Sequence, residues 1–152
     1  MNQQAAQNYL RTKVLTATPE QLQMMLFDGV VRFGEQARVA LQQKNYEQSH
    51  SLITRMQKII AELTAGLKHE MDPDLCGKLA SLYNYAYRKL IEANVERHIE
   101  ALDDALNVLK FQRETWSMLL QQLSKTKAAS AATRLSIPAP SERMEASISM
   151  QG

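Results

Sequence analysis

Thr18-Pro19-Glu20-Gln21-Leu22-Gln23-Met24-Met25-Leu26-Phe27-Asp28-Gly29-Val30-Val31-Arg32-Phe33 opens as a helix start and runs on as an apolar stripe. The Thr18 hydroxyl is placed to accept from a free backbone N–H of the first turn. Pro19 stands where its missing donor costs nothing, and Gln21 can reach back to complete a capping box. Beyond the cap, Leu22, Leu26, Gly29, Phe33, Ala37 and Ala40 step by three or four, the spacing of one helix face. Gly29 and Gly34 fall inside this helix, where a glycine costs about 1 kcal/mol against Ala. Gly29 lies on the stripe, so the close approach of a second helix is expected there. Asp28 is suited to capping a neighbouring helix or to pairing with Arg32.

Working outward, the same logic repeats. Asp72-Pro73-Asp74 is a second strong start, and Asn45-Tyr46-Glu47-Gln48 a weaker one. Ile53, Met56, Ile60, Leu63 and Leu67 form a stripe; so do Leu75, Leu79, Leu82, Ala86 and Leu90. A further stripe holds Ile99, Leu102, Leu106, Leu109, Trp116, Leu120 and Leu123. The last two are out of phase, because continuing from Leu90 would put Glu96 or Arg97 on the core face. A break is therefore expected at Asn94–His98, although no Gly or Pro marks it. No period-two alternation persists. The expected fold is all-α: an antiparallel four-helix bundle with short links, a short N-terminal segment packed on it and a disordered C-terminal tail. The expected divisions are residues 1–17, 18–127 and 128–152.

Composition agrees. With 5 Gly and 4 Pro in 152 residues, breakers are about half their usual share of roughly 12%, which excludes turn-rich all-β folds. Lys+Arg is 18 and Asp+Glu 16, a net charge of +2, which argues against a nucleic-acid binder. A hydrophobic share of 45% supports a real core. No run approaches the roughly 20 apolar residues of a membrane span, so a cytoplasmic protein without stable membrane insertion is expected. The lone Cys76 reads as a small buried residue. The tail from Ala128 is rich in Ala, Ser and Pro.

Several helices carry more apolar residues than one stripe needs. Met24, Phe27 and Val31 are additional on the first; Leu52 and Ile59 on the second; Tyr83, Tyr87 and Ile91 on the third; Val108, Phe111 and Met118 on the fourth. They fill a broad core, lie under the N-terminal segment, or form a groove for a partner helix. The 8 methionines suit an adaptable surface. Arg113, between Leu109 and Trp116, reads as the point where the stripe leaves the core. Catalytic motifs are weak. Glu47-x-x-His50 is half of a di-iron carboxylate signature, and no second Glu-x-x-His exists. No Gly-rich phosphate loop occurs, and no nucleophile spacing suggests an enzyme. No metal or cofactor is expected.

The motifs resemble those of the flagellar export chaperones, the FliS-type chaperones of flagellin. The resemblance rests on Asn8-Tyr9-Leu10, Val14, Thr16-Ala17-Thr18-Pro19-Glu20-Gln21-Leu22, Met25-Leu26-Phe27-Asp28-Gly29 and Arg32-Phe33. A second block is Leu79, Leu82-Tyr83-x-Tyr85, Leu90, Ala93-Asn94, Leu102, Leu109 and Trp116. Thr18 stands for a serine and keeps the capping hydroxyl. Phe27 stands for a tyrosine and removes its phenol.

The resemblance implies a bundle that binds the disordered C-terminal segment of flagellin, prevents its polymerisation and delivers it to the flagellar export gate. It further implies that the N-terminal segment, through Tyr9 and Leu10, lies over part of the groove and moves aside. The extra stripes supply the expected groove: Leu52, Ile59, Val108, Phe111 and Met118. The chain is expected to be a monomer or weak homodimer. Two other readings remain, a metal-binding bundle around Glu47 and His50 and a structural oligomerisation module.

Overall fold

A computed structural model describes residues 2–136, with side chains through Thr133. Five helices follow one another: α1 (Asn2–Thr16), α2 (Pro19–Gln42), α3 (Tyr46–Ala65), α4 (Pro73–Glu96) and α5 (Ile99–Ser136). No strand occurs among the described residues. The chain divides into two compact units, Met1–Ser117 and Met118–Gly152.

The starts are built by the capping chemistry of their own residues. Thr18 Oγ1 accepts from the Gln21 backbone N–H at 3.2 Å, and Gln21 Oε1 accepts from that of Thr18 at 3.0 Å. Asp72 Oδ1 accepts from Leu75 N at 3.1 Å, and Asn45 Oδ1 from Gln48 N at 3.3 Å. The unmarked break is at Arg97, which ends α4 in the left-handed region at φ 55°. Its guanidinium lies 4.0 Å from the Tyr46 ring centroid.

The first unit holds one core. It is formed by Phe27, Val30, Val31, Ala37 and Leu41 of α2, Leu52, Ile53, Met56, Ile60 and Leu63 of α3, Tyr83, Ala86, Leu90 and Ala93 of α4, and Ala101, Leu102, Ala105, Leu106 and Leu109 of α5. Cys76 is buried as a free thiol. The point of closest helix approach is Gly34, not Gly29. A Cβ on Gly34 would overlap Leu106 Cδ2 and stand 2.9 Å from Met56 Cε; one on Gly29 would meet Ile59 Cδ1 at an ordinary 3.6 Å. Around this contact α2 and α5 are also tied by polar groups. Arg38 holds Asp103 with two hydrogen bonds of 2.7 and 3.2 Å, and Lys110 pairs with Glu35. Trp116 Nε1 donates to the Glu20 carbonyl at 2.9 Å, its ring 6.4 Å from that of Phe27. Arg113 is half-buried.

Two boundaries need correction. The N-terminal segment is not packed on the core: α1 is a helix with no buried residue. At about 100° per residue, Tyr9, Leu10, Val14 and Leu15 scatter over more than half of its circumference, so α1 has no apolar stripe to bury. The tail does not begin at Ala128 either, because α5 continues to Ser136. Ala128, Ala129, Ala131 and Ala132 are the strongest helix formers, and the first breaker after them is Pro138. Residues 137–152 lie outside the described residues. In the second unit every described side chain from Gln121 to Thr133 is exposed.

Burial makes Tyr83 a pH-dependent core residue. Its side chain is 2% exposed, and desolvation pushes its phenol from 10.0 up to about 12. Burial disfavours the charged phenolate. That stability is therefore complete below pH 10 and is lost as the pH rises through about 12. Between pH 9 and pH 11 the loss comes to about 1 kcal/mol. The unfolding free energy from urea denaturation of the native protein should fall by this amount, and Tyr83→Phe should remove that part of the slope.

Candidate functional site

Apolar side chains that the core does not use are the first unit's most distinctive surface feature. On α4 the row Tyr87, Ile91 and Val95, at four-residue spacing, is 36%, 44% and 78% exposed. Beside this row a groove of ≈ 380 Å³ runs between α3 and α4, lined by Ile60, Ala61, Thr64, Ala65, Ala80, Tyr83, Asn84 and Tyr87. Ile60 and Tyr83 reach it from the core, while the small side chains of Ala61, Ala65 and Ala80 leave the space between the helices unfilled. Nothing here resembles a catalytic centre. The groove offers shape and apolar surface to a segment with an apolar face.

The five residues expected to form a groove differ widely in burial. Leu52 is 3% exposed and belongs to the core, so its placement as a contact residue is corrected. At about 100° per residue, Leu52 lies within about 40° of Met56 and Leu63. It is an edge of one wide buried arc, not a second stripe. Ile59 and Val108 are half-buried, Ile59 packing against the core. Phe111 is 69% exposed, on the side of α5 away from Leu106 and Leu109. Met118, in the second unit, is 62% exposed. Tyr9 and Leu10 are 68% and 53% exposed on α1.

The α3–α4 groove was missed because half of its lining is three alanines and a threonine, which carry no stripe signal. The available signal was Tyr87 and Ile91 on an otherwise satisfied helix.

Metal chemistry finds little support from the residues singled out for it. Glu47 and His50 are exposed on α3. Among the described residues, the one group of three potential ligands is elsewhere, Glu92, Glu96 and His98 at the end of α4. There Lys89 Nζ donates to Glu92 Oε2 at 3.2 Å, and His98 pairs with Glu100. Glu92 and His98 thus already have charged partners, which is how a solvated helix end satisfies its charges.

Known proteins give this helical scaffold its context. Residues 1–123 match the family described as Flagellar protein FliS. The chain belongs to that family. Curated relatives include the flagellar secretion chaperone FliS of Bacillus subtilis (strain 168), 28% identical over 122 residues, covering 80% of this chain and 90% of the relative. That of Salmonella typhimurium (strain LT2) is 30% identical over 120 residues, covering 78% and 89%. A solved structure described as a flagellar chaperone from bacteria superposes with a TM-score of 0.64 at 19% identity, covering 80% of this chain and 99% of that one. It shows the shared fold. The chain is thus a member of a flagellar secretion chaperone family and not of an enzyme family. No helix among the described residues is long and apolar enough to cross a membrane.

Proposed function

We propose that the protein is a cytoplasmic secretion chaperone that binds the disordered C-terminal segment of flagellin, keeps it from polymerising and hands it to the flagellar export gate. The observation that carries this reading is the family match over residues 1–123, which takes in α1 to α4 and most of α5. The physical chemistry agrees. A segment that becomes an amphipathic helix in a filament has an apolar face to hide, and a disordered client can wrap a large area as it folds. The exposed apolar groups of α4, the α3–α4 groove and Phe111 supply such area. Balanced charge leaves apolar complementarity as the main source of affinity.

In this reading α2 to α5 form an antiparallel four-helix bundle, favoured by the short links between long helices. The protein acts as a monomer or weak homodimer. Because α1 buries nothing of its own, it gates the client by lying alongside it, through Tyr9 and Leu10.

Stoichiometric protein should hold purified flagellin monomeric under conditions in which flagellin alone polymerises, as read by light scattering. Phe111→Asp should lose at least half of that suppression with far-UV circular dichroism unchanged. Undiminished polymerisation in the presence of the native protein would contradict the proposal.

A further inference from the structure

The face shared by α2 and α3 carries two arginines that have no carboxylate partner among the described residues. Arg32 and Arg55 are both exposed, and both stack on one ring: their guanidinium carbons lie 5.4 and 5.7 Å from the Phe33 centroid. Three cations that bridge helices are neutralised, Arg38 by Asp103, Lys110 by Glu35 and Lys89 by Asp104, whereas Arg97 stacks alone on Tyr46. Among the described residues neither Arg32 nor Arg55 has a carboxylate within ion-pair distance, and Asp28, one turn before Arg32, does not pair with it.

Two like charges held at one ring repel each other unless an anion offsets them. Stacking on the ring face biases the orientation of the planar forks, and both arginines remain exposed. Half-buried apolar groups lie between them. The Arg32 guanidinium and Ile59 together cover Gly29: a Cβ there would be 4.0 Å from Arg32 Nη2 and 3.6 Å from Ile59 Cδ1. Phe33 and Ile59 both pack against the core, so the patch rests on a fixed base. An apolar middle flanked by two unneutralised forks is complementary to an amphipathic segment that carries a carboxylate, the group whose geometry matches a guanidinium bidentately.

We propose that Arg32 and Arg55 form a carboxylate anchor for the client segment. This rests on the chaperone reading above and adds a polar specificity determinant to an otherwise apolar interface. The carboxylate comes either from the C-terminus of the client or from an acidic side chain within it.

The test is calorimetric titration of the full chain with the client's C-terminal segment, as free acid and as C-terminal amide, at low and high salt. Arg32→Gln and Arg55→Gln should each weaken binding about tenfold, and the double variant should flatten the salt dependence. Arg32→Lys should recover only part of the loss, because it restores charge without the fork. Lys44→Gln, which removes an exposed charge in the α2–α3 turn, should leave affinity unchanged; a loss as large as that of the arginine variants would mean bulk charge and overturn the anchor. If amidation reproduces the loss and has no further effect on the double variant, the anchor holds the client's C-terminus. If amidation has no effect while the arginine variants lose affinity, it holds an acidic side chain. Unchanged affinity and salt dependence in both Gln variants would overturn the anchor and leave the chaperone reading intact. Failure of the native chain to bind either peptide would remove both.

Discussion

Leu52→Asp should unfold the protein, whereas Phe111→Asp should leave its stability within about 0.5 kcal/mol. The two residues carry the same kind of signal in the sequence, a large apolar group off the main stripe. They end in opposite environments, Leu52 3% and Phe111 69% exposed. An aspartate at position 52 loses the leucine's packing, worth about 2–5 kcal/mol, and buries a carboxyl with no partner. A combined loss of about 4 kcal/mol or more is a large share of the roughly 5–15 kcal/mol that holds a domain together. Thermal melts followed by circular dichroism decide it. A Leu52→Asp protein with native helicity and an unchanged midpoint would place Leu52 on the surface and invalidate the core described above.

Gly34→Ala and Gly29→Ala should shift stability in opposite directions. Both glycines are buried in the middle of α2, and in both the added methyl gains up to about 1 kcal/mol of helix propensity. At Gly34 that methyl would overlap Leu106 and crowd Met56 at 2.9 Å. Leu106 and Met56 are themselves 2% and 0% exposed and have nowhere to move. Overpacking of this kind costs about 1–3 kcal/mol, leaving a net loss of up to about 2 kcal/mol. At Gly29 the nearest contact is an ordinary 3.6 Å to Ile59, so the propensity gain survives. Urea denaturation of the two variants reads the difference directly. Stabilisation by Gly34→Ala would mean that α2 and α5 are not in close contact there.

The fold was legible wherever the deciding chemistry is local. Thr18 and Asp72 announce their helices because an N-cap is made by residues three apart in sequence. The break at Arg97 carries no Gly or Pro, yet the phase of the stripes located it, since a continuous helix would have driven Glu96 or Arg97 into the core. Two features escaped. α1 buries nothing, so its helix leaves no periodic trace, and only its Gln, Ala and Leu content favours it. The extension of α5 past Lys127 looked like a tail because Ala and Ser also fill flexible segments.

The site was less legible, for a geometric reason. An apolar residue off the stripe is either the edge of a wide buried arc or an exposed contact, and the choice depends on how closely neighbouring helices approach. Leu52 is the first case and Phe111 the second; helix phase puts Leu52 beside Met56 and Leu63 and Phe111 opposite Leu106 and Leu109. The α3–α4 groove is harder still, because small residues such as Ala61, Ala65 and Ala80 create it by what they leave empty. The family match locates the function but not the contacts.

The central claim is that these exposed apolar surfaces serve a folding client. Its most direct test is titration of the full chain with the C-terminal segment of its own organism's flagellin, followed together by calorimetry and far-UV circular dichroism. The expected result is one segment per chain, a gain of helix beyond the sum of the separate spectra, and a negative heat-capacity change from apolar burial. An absence of binding at micromolar concentrations, or binding without helix gain, would contradict it.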